Sequence, residues 1–269
     1  MFKTRLLSGI VLVILAVIVL YFGGLVTGIA TLMLSIGGVF ELLRISNQHK
    51  TVLGIATYLA TICYYVLLFL ELDKYVTFML VLFIIMVLSI YVLSYPTYTD
   101  KDIMSAVLAF FYAAFLLSYF YKVRVLPDGG ALIVMVFVCS WVNDTLAYCA
   151  GVTMGKHKMS PKLSPKKSIE GLIGGLLGST IVGGAYGAFF VNKVYDVKYG
   201  IVIFAVAGLL GAAVAVIGDL AASAIKRNND IKDYSNLIPG HGGILDRFDS
   251  IIFTAPIVYF CFSFLLYNF

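Results

Sequence analysis

Charged residues are scarce in this chain. Lys, Arg, Asp and Glu make up 12% of its 269 residues, whereas hydrophobic residues make up 61%. The mean hydropathy is +1.01. A soluble globular domain carries about 25% charged residues, because its surface must face water. The composition therefore excludes a soluble domain of this length and indicates a polytopic membrane protein.

Residues that usually build metal or disulfide frameworks are also few. The chain has four cysteines and three histidines, and the cysteines are scattered through apolar segments without metal-ligand spacing. No P-loop, dinucleotide fingerprint, zinc motif or Ser-His-Asp order is present. The excess of Lys and Arg, 19 against 14 Asp and Glu, indicates loop orientation and contact with anionic lipid, and no nucleic-acid partner is expected.

Long apolar runs are abundant, and nine of them are long enough, or nearly so, to cross a bilayer. They cover residues 6–22, 24–45, 52–72, 75–95, 103–123, 129–153, 169–191, 199–225 and 244–268. Because lipid cannot satisfy unpaired backbone groups, the predicted fold class is all-α, with about nine transmembrane helices. Lys3 and Arg5 before the first run also fit a signal peptide. No convincing cleavage site follows them, so we expect this helix to be retained.

The distribution of Lys and Arg between alternate loops predicts the orientation of the chain. With nine helices and a cytoplasmic N-terminus, 14 of the 19 basic residues lie on the cytoplasmic side. The other five are Lys74, Lys122, Arg124, Lys193 and Lys198. Since cytoplasmic loops are enriched in basic residues, the 156–167 loop and the 223–249 segment are predicted to face the cytoplasm.

The two halves of the chain differ in polarity. Residues 1–125 are nearly pure apolar helix and are predicted to support the fold or a dimer, or to face lipid. Residues 126–269 carry most of the intramembrane carboxylates and are predicted to be catalytic. Glu41 is the main exception, and its spacing from Arg44 predicts a local ion pair. The small residues of 171–187 favour close helix packing, in the bundle or with a second subunit, over a ligand contact.

Four aspartates are predicted to form the centre of a site. Asp144 and Asp219 lie inside apolar helices, and Asp246 and Asp249 fall three residues apart at the start of the last helix. Charge inside a membrane is costly and usually functional. Adjacent carboxylates repel unless they share a proton or a cation, and oxygen ligands with room for substrate phosphate suit Mg²⁺. A single membrane aspartate can also simply pair with an arginine or cap a broken helix.

Two features of the sequence predict phosphate binding. Lys166 and Lys167 immediately precede a helix whose predicted N-cap is Ser168, and a helix N-terminus with lysines attracts phosphate. Glu170 in its first turn fits either favourable dipole placement or a functional role. The second feature is Pro239 to Gly243, whose glycines allow positive φ and close approach of backbone to a ligand.

The stretch from Ser223 to Asp249 resembles the signature of the phosphatidate cytidylyltransferases, also called CDP-diacylglycerol synthases. Its matching positions are Ser223, Ile225, Lys226, Arg227, Lys232, Asp233, Ser235, Ile238, Pro239, Gly240, His241, Gly242, Gly243, Ile244, Asp246, Arg247 and Asp249. Further positions around Asp144 and from Ser164 to Gly171 also resemble the family, although Ser168 and Ile169 stand where Thr and Trp are common. The motifs cover residues 140–250.

The resemblance implies a membrane enzyme that converts CTP and phosphatidate to CDP-diacylglycerol and pyrophosphate. It also implies Mg²⁺, with a second cation left open, and a homodimer in a bacterial inner membrane. Asp219 and Asp246 would hold metal, with Asp144 and Asp249 beside them. The expected catalytic cations are Lys226 and Arg227, and the expected substrate-binding residues are Lys166, Lys167, Ser223, His241, Gly242, Gly243 and Arg247.

Two other functions remain open from the sequence. A CTP-dependent lipid kinase acting on a polyprenol-type alcohol would use similar residues with a different acceptor. A cation- or proton-coupled transporter would also carry membrane carboxylates, but it needs them near mid-membrane with access from both faces. In this chain the predicted charges gather at one face and include lysines and arginines, which favours the nucleotidyltransferase.

Overall fold

The computed structural model describes residues 2–194 and 200–268, with side chains for 7–190 and 200–264. The helices are α1 (Phe2–Phe22), α2 (Gly24–Ile45), α3 (Val52–Phe69), α4 (Val76–Leu93), α5 (Asp100–Ala109), α6 (Leu117–Val125), α7 (Gly129–Leu132), α8 (Val134–Phe137), α9 (Asn143–Met154), α10 (Ile169–Val194), α11 (Gly200–Asn228) and α12 (Leu245–Asn268). A 3₁₀ turn covers Asp73–Tyr75, and π-helical turns cover Phe110–Leu116 and Val138–Val142. Strands β1 (Lys158–Ser160) and β2 (Ser164–Ser168) form an antiparallel hairpin.

The all-α prediction is confirmed, since strand is confined to this one hairpin in the described part of the chain. Eight helical segments there are long and apolar enough to cross a membrane. A ninth apolar helix, Leu7–Phe22, is shorter. The predicted orientation stays a prediction. Lys198, which was used for it, lies outside the described residues, as do the side chains of Lys3, Arg5 and Lys193.

The backbone forms two compact units, each continuous in space but not in sequence. The first comprises residues 1–121 with 233–247, and the second comprises 122–232 with 248–269. The difference in polarity along the sequence predicted a boundary between the two halves near residue 125. The structural grouping differs in that 233–247, from the predicted catalytic region, belongs with the N-terminal helices.

The first unit buries hydroxyl groups as well as apolar side chains between its helices. Tyr65 is fully buried, and its hydroxyl lies 2.7 Å from Oγ of Ser35. The hydroxyl of Tyr64 lies 2.9 Å from Oγ of Ser118. Phe110, from the first π-helical turn, packs against both Tyr64 and Phe83. Such pairing is expected inside a bilayer, because a polar group without a partner there is costly.

The second unit is packed through glycines. A side-chain carbon at Gly174 would come within 2.4 Å of Cβ of Ala150, so α10 lies directly against α9. A side-chain carbon at Gly208 would come within 2.5 Å of the carbonyl oxygen of Ser179, so α11 lies equally close to α10. The predicted packing role of residues 171–187 is therefore confirmed within the bundle.

Candidate functional site

Asp219 and Lys167 form the centre of the polar cluster in the second unit. Nζ of Lys167, from β2, pairs with Oδ2 of Asp219, from α11. The preceding residue, Gly218, is buried, and a side-chain carbon there would lie 2.6 Å from the carbonyl oxygen of Asp249. The absence of a side chain at Gly218 thus lets α11 and α12 touch beside Asp219. The backbone of Asp249 lies at this contact.

Two more aspartates and a second lysine surround this pair. Asp144, on α9, lies close enough to interact electrostatically with both Lys167 and Asp219. Asp249 interacts with Asp219, Lys226 and Asp144, and its Oδ1 accepts a hydrogen bond from the N–H of Ser250 at 2.8 Å. Three of the four predicted aspartates thus gather around Lys167 and Lys226. Carboxylates that interact with one another repel unless they share a proton or a cation.

The β1–β2 hairpin holds Lys167 in place. Oγ of Ser168 accepts from the N–H of Gly171 at 3.1 Å, so its predicted role as the N-cap of α10 is confirmed. Oε2 of Glu170 accepts from the N–H of Lys156 at 3.0 Å, and Oε1 lies 2.6 Å from Nδ1 of His157. Glu170 therefore closes the base of the hairpin. Its role goes beyond a favourable interaction with the dipole of α10, one of the two roles that its position in the sequence allowed.

The two predicted phosphate-binding lysines differ in environment. Lys166 is exposed, whereas the side chain of Lys167 is only 26% exposed and lies against Asp219. Neighbouring residues of a strand point to opposite faces, which separates them. Ser223 and Lys226, on α11, are half-buried, and Arg227 is exposed.

In the first unit, Asp246 organises the loop that precedes α12. Its Oδ2 accepts from the N–H of Tyr234 at 2.7 Å and from the N–H of Gly243 at 2.9 Å. Asp246 is buried and lies in the first turn of α12, as predicted, while the neighbouring Arg247 is exposed. Gly242 has φ 85°, and a side chain there would meet Asp246, so glycine is needed in this turn.

Glu41 also binds this loop, which the sequence did not predict. Its Oε1 accepts from Oγ of Ser235 at 2.5 Å and from the N–H of Ile244 at 2.9 Å, and Oε2 accepts from the N–H of Leu245 at 2.9 Å. The predicted Glu41–Arg44 ion pair is wrong, because Arg44 instead donates to the carbonyl of Tyr234 at 2.7 Å. The signal that could have identified Glu41 was its charge inside an apolar helix.

His241 shapes the loop through contacts with α1. Its Nδ1 lies 2.8 Å from Oγ of Ser8, and that hydroxyl also donates to the carbonyl of Pro239 at 2.9 Å. The turn is closed by the N–H of Ile238, which donates to the carbonyl of Gly242 at 2.9 Å. These contacts give His241 a part in the shape of the loop, and the substrate binding expected from the sequence stays a prediction.

The aspartates of the second unit fit a Mg²⁺ ion by their chemistry. Among the described residues, no three acidic, histidine or cysteine side chains converge closely enough to enclose a metal alone. Mg²⁺ does not need such an enclosure, because it takes one or two carboxylates and completes its shell with water and phosphate. Asp144, Asp219 and Asp249 supply carboxylate oxygens of the kind that Mg²⁺ binds.

Comparison with known proteins shows similarity along almost the whole chain. The sequence matches the cytidylyltransferase family over residues 3–265. A phosphatidate cytidylyltransferase of Bacillus subtilis is 31% identical over 264 residues, which cover 96% of each chain. One of Staphylococcus epidermidis is 31% identical over 261 residues, which cover 95% of this chain and 97% of that protein. One of Synechocystis is 31% identical over 192 residues, 60% of this chain and 62% of that protein.

Proposed function

This chain belongs to the cytidylyltransferase family, and we propose that it converts CTP and phosphatidate to CDP-diacylglycerol and pyrophosphate. It is an integral membrane enzyme of phospholipid biosynthesis. The observation that carries the proposal is the end-to-end similarity to phosphatidate cytidylyltransferases. The cluster of Asp144, Lys167, Asp219, Lys226 and Asp249 supports it, because nucleotide chemistry needs both cations and metal-binding oxygens.

The reaction is a direct transfer of the cytidylyl group. An anionic phosphate oxygen of phosphatidate attacks the α-phosphorus of CTP, a new O–P bond forms, and the bond to the β-phosphate breaks as pyrophosphate leaves. Because the nucleophile is already ionised, no strong general base is needed. The task of the protein is to position two polyanions and to neutralise their charge. The residues that would bind phosphate oxygens are Lys166, Lys167, Lys226, Arg227 and Arg247.

Mg²⁺ is the expected cofactor, and the number of ions is left open. Asp219 and Asp246 are proposed as metal-binding carboxylates, and Asp144 and Asp249, which interact with Asp219, are proposed as further candidates. When bound, Mg²⁺ would supply positive charge for the phosphate oxygens that gain negative charge as pyrophosphate departs. In its absence, Lys167 can neutralise Asp219 with the ion pair described above.

The proposed setting is the inner membrane of a bacterium, with the site open to the cytoplasm, where CTP is found. The asymmetry of Lys and Arg between alternate loops supports this orientation. A homodimer is also proposed, on the resemblance to the family. Light scattering of the detergent-solubilised protein, corrected for bound detergent, would test it, and a monomer mass would contradict it.

One assay separates this function from its nearest alternative. Purified protein would be supplied with phosphatidate, or with a polyprenol, and with CTP labelled at the α- or the γ-phosphate. We expect the α-label to enter lipid only with phosphatidate. Transfer of the γ-label to the alcohol would instead identify a lipid kinase. Asp219→Asn, purified in the same way, controls for enzyme carried over from the host.

A further inference from the structure

Three consecutive backbone N–H groups at the start of α12, two just before it and one in its first residue, are bound by two carboxylates from different parts of the chain. The N–H of Gly243 donates to Asp246, which lies in α12 itself. The next two, of Ile244 and Leu245, donate to Glu41 of α2, each at 2.9 Å. The N–H groups at a helix start have no acceptor within the helix and carry partial positive charge. Glu41 therefore caps α12 from a separate helix.

Glu41 makes these contacts in surroundings where an ionised side chain is expensive. It is 0% exposed and lies in a helix suitable for spanning the membrane. A buried carboxylate is tolerated when hydrogen bonds replace its lost hydration. Here three donors do so, the two amides and the hydroxyl of Ser235. An apolar residue would pack α2 without this cost, so the charge indicates a task beyond packing.

The surrounding residues are small enough to keep the contact close. A side-chain carbon at Gly243 would lie 2.5 Å from Oε1 of Glu41. On α2, a side-chain carbon at Gly37 would lie 2.2 Å from Cδ1 of Ile244, and one at Gly38 would lie 2.9 Å from Cδ2 of Leu245. Glycines on both sides therefore bring α2 and the start of α12 together, with little room to shift.

We propose that Glu41 is a positioning residue, which fixes the start of α12 and thereby the placement of Asp246 and Arg247 for nucleotidyl transfer. The catalytic part of this proposal rests on the proposed function. Asp246 and Arg247 follow directly after the two amides that Glu41 binds, so a movement of the helix start moves both. Glu41 itself touches backbone and Ser235, and it acts on the reaction through these residues.

The variants Glu41→Gln and Glu41→Asp test the proposal. Gln keeps the size but places an NH₂ group against backbone N–H donors, whereas Asp keeps both acceptor oxygens on a shorter side chain. Ser35→Ala is the matched control, because it removes a buried hydrogen bond from the same helix at Tyr65, away from the loop. Each protein would be purified and measured by hydrogen exchange with mass spectrometry and by the α-label assay.

We expect Glu41→Gln to speed exchange in peptides covering 243–247 by about tenfold or more, because a charge-assisted hydrogen bond is lost. It should lower kcat by about 10- to 100-fold with a smaller change in KM for CTP. Glu41→Asp should recover part of both. Ser35→Ala should lower the unfolding temperature yet keep wild-type exchange in 243–247 and wild-type kcat.

Wild-type exchange of 243–247 in Glu41→Gln would overturn the cap, and faster exchange with unchanged kcat would overturn the catalytic role. If Glu41→Gln fails to insert, Ser235→Ala replaces it. This variant removes one of the three donors, so it should show the same changes at smaller size, and wild-type behaviour would contradict the proposal. If the wild-type protein transfers no α-label, the proposed function fails, while the exchange data still decide whether Glu41 caps α12.

Discussion

Lys167 reaches from the β1–β2 hairpin to pair with Asp219 on α11, and so joins a predicted phosphate-binding residue to a predicted metal ligand. Both side chains are about a quarter to a third exposed, at 26% and 30%. An ion pair that water can reach contributes little to stability. The Lys167–Asp219 ion pair is therefore expected to matter for function more than for stability. The lysine would neutralise the aspartate until the proposed nucleotide and metal bind.

The first prediction concerns the two adjacent lysines. Lys167→Ala should lower kcat/KM for CTP by about 10- to 150-fold, because a charge-assisted contact is worth about 1.5–3 kcal/mol. Lys166→Ala should also weaken the use of CTP, but less, because Lys166 is exposed and lies outside the ion pair. Steady-state kinetics at saturating phosphatidate would measure both. Wild-type kinetics in both variants would mean that the lysines of this loop reflect its cytoplasmic orientation and do not bind CTP.

The second prediction concerns the metal. Asp219→Asn and Asp246→Asn should each abolish turnover, because Asn keeps the size but removes the charge that would hold Mg²⁺. Both variants should still insert and purify. Asp249→Asn should lose less if it lies beside the metal without binding it directly. Turnover would be measured with α-labelled CTP across a Mg²⁺ titration.

A control variant and chelation complete this test. Asp128→Asn changes a carboxylate at the start of α7, where φ is 54°, a conformation that Asn also tolerates. It should behave as wild type. EDTA should abolish wild-type turnover, and added Mg²⁺ should restore it. Activity that is near normal and still sensitive to EDTA in both Asp219→Asn and Asp246→Asn would remove these residues from the metal site.

The sequence identified site residues where a charged side chain lies in an apolar helix, because such a side chain is energetically unfavourable in a membrane. Asp144, Asp219 and Asp249 were found because charge in apolar helices needs a reason, and the structure brings these three together. The cap at Ser168 was found because its chemistry is local. That these aspartates hold metal stays a prediction.

The parts that the sequence did not reveal depend on contacts between distant segments. Glu41 was assigned to Arg44, three residues away, because local spacing suggested a helical pair. Its actual partners include Ile244 and Leu245, about two hundred residues later, which no local rule can identify. The β1–β2 hairpin was not predicted, because the many lysines of this segment indicated a basic cytoplasmic loop without regular structure. The grouping of 233–247 with the N-terminal helices likewise follows from tertiary contacts.

The third prediction concerns orientation. Single cysteines placed in the 156–167 and 228–240 loops of a cysteine-free variant should react with an impermeant thiol reagent only from the cytoplasmic side. The reason is that both loops fall on the side of the predicted topology that carries most of the Lys and Arg residues, and such loops usually stay in the cytoplasm. Intact cells and inverted vesicles would be compared. Labelling of either loop in intact cells by reagent added outside would reverse the assignment.

The last prediction tests the close approach of α11 and α12 next to Asp219. Replacing Gly by Ala inside a helix usually stabilises it by about 0.5–1 kcal/mol. At Gly218, however, the added carbon would lie 2.6 Å from the carbonyl oxygen of Asp249 and 2.8 Å from the ring of Phe253. Overpacking of this kind costs about 1–3 kcal/mol, so the steric effect should exceed the gain in helix propensity.

We therefore expect Gly218→Ala to lower the unfolding temperature and to reduce kcat, because the two helices must separate where they carry Asp219 and Asp249. Gly184→Ala is the matched control, since its added carbon would meet only Cβ of Ala205, at an ordinary 3.4 Å. It should be neutral or slightly stabilising with wild-type turnover. Thermal unfolding in detergent and the α-label assay would measure both variants. If Gly218→Ala matched Gly184→Ala in both measurements, close contact beside Asp219 would not be what the site requires.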